Sequence, residues 1–394
     1  MRTTLFAIGF LFSSVLPAQT PQWTATRDLR IGSVDDPEYA FTWMQGITLD
    51  RNNRIYSLHY EERVVRNFDA AGKVLKKFGR RGEGPGEFRN PALMDWRGDT
   101  LWVYDSVQRR FHLFATDGRV LGTISVIPEG ADARSPMPAS PRALLNDGSI
   151  LGQLSIGQIV GPMQTGGSPD RSALVRMTRQ GKILDTLAIY TSRNMYLRVA
   201  DPDRLWSTVF GNPYGVATLY APAADGGSVF LVERPIATNS RQGSFTIRRI
   251  GVRGDTISVQ RYSYVPQRVT TTQTDTALEP LITSLSQPQG DRPARVTRAA
   301  AERMVRGVVE VPEFHPPVQE IVVGVDGTLW LRREDLRRTT NSWMVLDGSG
   351  KLIGTVNLPN RMRVLAANRT TVLAEERDEL DVVYITRYRI TASR

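Results

Sequence analysis

A repeat of 46 residues constrains this chain more than any other feature of its sequence. Two matching units occupy residues 46–74 and 92–120, and their turn glycines Gly72 and Gly118 lie 46 positions apart. Each unit alternates short apolar runs with turns containing Asn, Asp or Gly, residues that tolerate the positive φ of tight β-hairpins. A period of this length is typical of one four-stranded blade of a β-propeller.

Later Asp-Gly turns extend the pattern, and each is followed by a β-rich run. They lie at Asp147-Gly148, Asp225-Gly226, Asp326-Gly327 and Asp347-Gly348. We therefore predict an all-β fold, a six-bladed β-propeller. The predicted blades are residues 40–88, 90–126, 140–190, 212–262, 314–357 and 358–394.

The last predicted blade has room for only three strands. The alternating segment 23–31 has no other partner in this scheme, so we expect it to supply the missing outer strand. Such pairing of the N-terminus with the last blade would close the ring and remove exposed strand edges.

One helical insertion, about residues 270–312, interrupts the period between blades four and five. Within it, residues 294–307 are predicted to form a helix with Val296, Ala300 and Met304 on one stripe. We expect this narrow apolar stripe to pack against the propeller.

The N-terminus has the pattern of a signal peptide over residues 1–18. A short basic start precedes an apolar run of about a dozen residues, shorter than the ~20 that span a bilayer. The pattern predicts export to the periplasm or the extracellular space, with residues 19–394 forming one propeller domain. We expect a monomer that does not span a membrane. The chain has no cysteine, so disulfides do not stabilise it.

The basic charge first suggests a nucleic-acid partner. The chain has 50 Lys and Arg against 40 Asp and Glu, a net charge of +10. A nucleic-acid surface concentrates basic residues on one face, whereas here arginines are spread along the whole chain. We therefore expect no nucleic-acid partner.

The stretch 78–91, with the apolar run 101–106 after it, carries a family resemblance. It resembles an NHL repeat, especially those of six-bladed propeller proteins exported by bacteria, and the match is specific over about residues 44–122. The resemblance implies a propeller that serves as a binding or interaction platform. Independently, glycines and Pro85 in this stretch predict a sharp turn between blades, with Phe88 as a buried anchor.

No catalytic motif marks an active site. A nucleophile elbow is absent, the Asp-Gly turns lack calcium-loop spacing, and His59, His112 and His315 are isolated in sequence. The first hypothesis is therefore a module that binds a small molecule, a carbohydrate or a protein, without metal or cofactor. Its candidate face comprises Arg80, Arg81, Glu87, Arg89, Arg142, Tyr214 and His315.

The second hypothesis is an enzyme. A propeller hydrolase, lactonase or lyase could use calcium or a similar ion at the mouth of the central channel. Such a site needs several Asp, Asn or Glu oxygens from different blades. The lack of a catalytic signature favours the first hypothesis.

Overall fold

The computed structural model describes residues 20–42, 44–127, 130, 135–156, 171–192, 196–201, 206–288, 293–333 and 339–392. The predicted signal peptide, residues 1–18, lies outside these ranges. The described chain is all-β apart from two helices, and its sheets have a propeller-like arrangement.

The strands follow one another in hairpins, with one N-terminal exception. The chain begins with β1 (Gln22–Ile31). The first four-stranded sheet contains β2 (Met44–Leu49), β3 (Ile55–His59), β4 (Val64–Phe68) and β5 (Val74–Phe78). The second contains β6 (Pro91–Arg97), β7 (Thr100–Asp105), β8 (Arg110–Phe114) and β9 (Val120–Ser125). The third contains β10 (Ser140–Leu144), β11 (Ile150–Ile156), β12 (Arg171–Met177) and β13 (Ile183–Thr191).

The second half of the chain adds a hairpin, a fourth sheet and two helices. The hairpin is β14 (Tyr196–Asp201) and β15 (Trp206–Gly211). The fourth sheet contains β16 (Leu219–Pro222), β17 (Ser228–Glu233), β18 (Gly243–Gly251) and β19 (Thr256–Tyr264). The helices are α1 (Thr271–Ser286) and α2 (Arg298–Val308).

The remaining strands form one eight-stranded sheet instead of two separate blades. Its first half is β20 (Glu320–Val323), β21 (Leu329–Arg333), β22 (Thr340–Leu346) and β23 (Leu352–Pro359). Its second half is β24 (Met362–Asn368), β25 (Thr371–Arg377) and β26 (Val383–Thr391), with β1 added. The halves join because Gln22 and Trp23 pair in parallel with Thr355 and Val356 of β23.

The N-terminal strand pairs as the sequence predicts. β1 runs antiparallel to β26, with Thr24 opposite Thr391 and Ile31 opposite Ile385. Asp28 accepts hydrogen bonds from the guanidinium groups of Arg387 (2.9 Å) and Arg389 (3.0 Å). Burial would raise the pKa of Asp28, but these two arginines outweigh it and lower that pKa.

The first strands β2, β6, β16, β20 and β24 line a central channel. β2 contacts β6 and β24, β6 contacts β10, and β20 contacts β16 and β24. We call the end where each first strand turns into the second the hairpin end, and the opposite end, where one sheet connects to the next, the connector end. Phe88 is buried as predicted, and the large aromatic side chains of Trp102, Trp330 and Trp343 are buried as well.

Hydrogen bonds join neighbouring turns around the hairpin end. The Asn146 amide donates to the Gly226 carbonyl (3.1 Å), and Asn368 donates to the side chain of Asn53 (3.1 Å). The Arg369 amide donates to Asp326 (2.9 Å). These contacts hold neighbouring hairpin turns at fixed positions around the channel.

The helical insertion differs from the prediction in two ways. A second helix, α1, precedes the predicted one, and both pack with the β14–β15 hairpin, which the repeat count had not included. We call α1, α2 and this hairpin the helix–hairpin unit. Its own core consists of Val199, Leu278, Ile282, Leu285, Ala301 and Val305.

The buried face of α2 also departs from the predicted stripe. Ala301 and Val305 are buried, while Val296 and Met304 only flank the core. The face is turned because α2 packs against α1 and β14 within the unit.

We expect Trp23→Ala to destabilise the protein strongly because Trp23 holds β1 in place. Its ring is 6% exposed, lies edge-on to Trp330 at 6.4 Å, and fills the space beside Gly354. Removal of a buried Trp side chain costs about 3–5 kcal/mol. Urea unfolding followed by circular dichroism measures this loss.

Leu75→Ala, on the exposed face of β5, is the control and should change stability by less than about 0.5 kcal/mol. A Trp23→Ala protein as stable as this control would contradict the role given to β1.

Candidate functional site

Two adjoining cavities occupy the central channel. The larger, about 510 Å³, opens at the hairpin end, and the smaller, about 320 Å³, lies among the first strands. Asp95, Ala224 and Val325 line both. The larger volume falls within the ~300–1,000 Å³ usual for small-molecule sites.

Asp95 is the most unusual residue of the channel. It lies near the end of β6, and its Oδ1 accepts a hydrogen bond from the Trp96 amide at 2.8 Å. Within the described residues it has no ion-pair partner. Burial among the surrounding strands raises the pKa of this carboxyl from 3.8 to about 6, and the bond from Trp96 only partly offsets that effect. A carboxyl with a raised pKa in a cavity indicates a functional position.

The repeat gave a signal for Asp95 that the sequence analysis missed. The equivalent position of the first unit, 46 residues earlier, is Leu49, whose side chain is buried. Asp95 thus replaces an apolar core residue with a carboxyl at the point where the second sheet meets the channel.

Trp96 lines the larger cavity beside Asp95. Its ring meets Tyr56 edge-to-face at 5.0 Å, and the Tyr56 hydroxyl donates to the Thr116 carbonyl at 2.8 Å. The Trp96 indole is therefore held between the first two sheets. Its Nε1 is buried without a hydrogen-bond partner among the described residues.

The other charges near the channel are paired. Arg54 donates through Nε to Asp50 at 2.6 Å, and Asp50 is 6% exposed. Burial lowers the pKa of Arg54, but the hydrogen bond to Asp50 and the charges of the surrounding acidic groups together outweigh burial and raise that pKa overall. In the smaller cavity, Glu320 accepts from Arg332 at 3.1 Å, yet burial still raises the pKa of Glu320. Asp95 thus differs from the channel's other acidic groups.

Four of the residues predicted to bind ligand belong to the connection between the first two sheets. Arg80 donates to Glu87 at 2.7 Å, and Arg89 donates to Glu83 at 2.7 Å. Glu87 also accepts from backbone amides of the same turn, and the bond from Gly84 is the main reason that its pKa is lowered. Arg81 is exposed, and its backbone bridges to Phe88.

The three remaining predicted residues lie in two other settings. Arg142 is exposed on β10 and donates to Gln153, which also accepts from the Tyr220 hydroxyl at 2.9 Å. Tyr214 and His315 are buried together, with ring centroids 6.1 Å apart. They bond to Thr274 (3.2 Å) and Gln273 (3.1 Å) of α1, so this pair joins the helix–hairpin unit to the sheets.

The other two histidines are buried in separate sheets. His59 hydrogen-bonds Ser57 at 2.7 Å, and burial lowers its pKa to about 3. His112 accepts from the Gly86 amide at 3.1 Å, and burial lowers its pKa to about 4. Across the described ranges, no group of three or more His, Asp or Glu side chains is placed to hold a metal ion.

Asp105 fixes the connector end of the second sheet. Its carboxylate accepts from the backbone amides of Arg89 (2.6 Å), Asn90 (2.7 Å), Val107 (3.0 Å) and Gln108 (2.8 Å). Asp105 thus ties the connection from the first sheet to the end of β7, while Arg109 donates to the Ser135 carbonyl.

No protein-family model and no curated protein matches this chain. Among solved structures, it is similar to a protein from Bacteroides fragilis thought to be exported, with 12% identity, a TM-score of 0.47, and coverage of 97% of this chain and 98% of that one. It is also similar to a member of the duf4221 family from Bacteroides vulgatus, with 10% identity, a TM-score of 0.49, and coverage of 95% and 100%. A catalytically inactive virginiamycin B lyase from Staphylococcus aureus shares 12% identity at a TM-score of 0.39, with coverage of 92% and 98%.

Neither helix in the described part of the chain is long and apolar enough to cross a membrane.

We expect Asp95→Asn to stabilise the protein at neutral pH. Because the folded state raises the pKa of Asp95, the unfolded chain loses this proton first as the pH rises from about 4 to 6, and the free energy of unfolding falls. Asparagine does not ionise, so the variant keeps the free energy of unfolding that the parent chain loses. We place this difference at about 1–2 kcal/mol because solvent in the cavity weakens the effect.

Urea unfolding of both proteins at pH 4 and pH 7.5 measures the effect. From pH 4 to pH 7.5, the free energy of unfolding of Asp95→Asn should rise relative to that of the parent chain. Asp99→Asn, at an exposed position of the same cavity mouth, should show no such rise. If the difference in free energy of unfolding between the parent chain and Asp95→Asn is the same at both pH values, burial does not raise the pKa of this carboxyl.

Proposed function

We propose that this chain is an exported binding protein that takes a small molecule into the hairpin end of its channel. The observation that carries the proposal is the cavity of about 510 Å³, at whose inner side Asp95 lies without an ion-pair partner among the described residues. Buried polar groups are normally satisfied within a protein, so a carboxyl directed to a cavity favours completion by a ligand. The proposal requires no metal or cofactor.

We further propose that the fold is a six-bladed propeller of the NHL-like kind, formed by residues 19–394. In this interpretation the eight-stranded sheet counts as two blades that β1 links through Gln22 and Trp23. The first strands β2, β6, β10, β16, β20 and β24 would then be the six inner strands. The predicted signal peptide supports export to the periplasm or beyond.

We place the site at the hairpin end and not among the seven residues proposed from sequence. At the connector face, the charged residues around Glu87 bond one another, and Tyr214 with His315 secures the helix–hairpin unit. These contacts support a structural contribution for that set.

Filling the cavity tests the proposal. Ala224 is half-buried and lines both cavities, so Ala224→Trp should occupy the space of a ligand. Probes of three charge classes, namely choline, glucose and citrate, are screened for a rise in Tm. A ligand at 100 times its Kd adds about 2.7 kcal/mol of stability.

We expect at least one probe class to stabilise the parent chain and not Ala224→Trp. Leu380→Trp, at an exposed turn far along the chain, is the matched control and should retain the response. An equal rise in Tm in the two variants, or no rise in Tm in the parent chain with any probe, would contradict binding in the channel.

A further inference from the structure

We propose that the ligand of this cavity is an organic cation, with an ammonium or guanidinium group held by Asp95. This inference rests on the proposed binding function and adds the chemical class of the ligand. Three observations support it: the pairing of charges around the cavity, the position of Asp95, and the aromatic residue beside it.

The cavity lining has an excess of acidic groups. It includes four carboxyls and two guanidinium groups: Asp50, Asp95, Asp99, Asp225, Arg51 and Arg54. Asp50 is paired with Arg54 at 2.6 Å, Asp99 with Arg51 at 3.6 Å, and Asp225 with Arg249 at 3.7 Å. Within the described residues Asp95 alone among these four has no basic partner, so one negative charge is left uncompensated.

Asp95 is half-buried where the two cavities adjoin. It lines both cavities, and its one hydrogen bond comes from the Trp96 amide at 2.8 Å. An ionised carboxyl withdrawn from water is stabilised best by an opposite charge with donors of its own. A neutral hydroxyl of a ligand could donate a hydrogen bond to one oxygen of Asp95, but it would not neutralise the negative charge of the carboxylate.

Trp96 favours the same class of ligand. Its indole lines the cavity next to Asp95 and is fixed by its edge contact with Tyr56. Aromatic faces attract cations, most strongly those of Trp, through the ring quadrupole. An ammonium beside Asp95 would therefore gain from both side chains.

The donor set suits an organic cation better than a metal ion. Calcium takes six to eight oxygen ligands, and magnesium needs a near-octahedral set. The described residues provide no group of three acidic or histidine side chains for a metal, and Asp50 already bonds Arg54. An alkylammonium or guanidinium group needs one carboxylate and an apolar or aromatic wall.

Isothermal titration calorimetry at pH 7.5 with choline, agmatine and spermidine tests this inference. The neutral comparison is 3,3-dimethylbutan-1-ol, which has the shape of choline without its charge. We expect at least one cation to bind, and choline to bind more tightly than its neutral isostere. Asp95→Asn should weaken cation binding by about tenfold or more, as expected for loss of a charged hydrogen bond.

Asp35→Asn is the matched control because Asp35 is an exposed aspartate that lines neither cavity. It should change cation affinity by less than about threefold, as a solvent-exposed charge. Equal affinity for choline and the isostere, unchanged cation affinity in Asp95→Asn, or no binding of any of the three cations would overturn the inference.

The same measurements separate this inference from the binding function. If glucose or citrate binds the parent chain, and Ala224→Trp abolishes that binding, the cavity is a ligand site and only the cation assignment fails. If no probe binds in a manner that Ala224→Trp abolishes, the binding function itself fails.

Discussion

The pairing of β1 with β26 is the contact on which the channel depends. Without β1, β26 would be an unpaired edge, and β23 would lose its link to the last three strands. Trp23 secures the start of β1 by packing against Trp330, and Asp28 secures the middle of β1 through two arginines of β26. Because residues from both chain termini meet here, the first strands are held around the channel at fixed positions, and the cavity has defined walls.

The parts of the fold that sequence predicted are those with local causes. Strand alternation, Asp-Gly turns and the glycine-rich stretch before Phe88 act within a few residues, so the sheets follow the predicted segments closely. The helix–hairpin unit was missed because its core joins β14 to helices some 80–100 residues later. A capping box at Thr270 and Gln273 signals the start of α1, but several threonines and Pro280 obscure the helical pattern.

The candidate site was missed for a different reason. Sequence marks charged residues but does not show which of them already have partners. Arg80, Glu87 and Arg89 stood out in the glycine-rich stretch, and the structure shows each of them in a hydrogen bond or ion pair of that stretch. Asp95 drew no notice in a strand of ordinary composition. Its meaning depends on the lack of an ion-pair partner among the described residues and on the cavity that it lines, and both are properties of the assembled fold.

The packing around β6 explains how such a carboxyl can be retained. A desolvated acid weakens the fold at neutral pH, and a small or open domain would relieve it by local movement or exposure to water. Here β6 lies between β2 and β10, and the turns of the hairpin end are bonded to one another, so Asp95 remains facing the channel. A ligand with a positive charge would offset the free energy that the fold loses by burying the ionised Asp95. Such a site would discriminate between ligands by their charge more than by their shape.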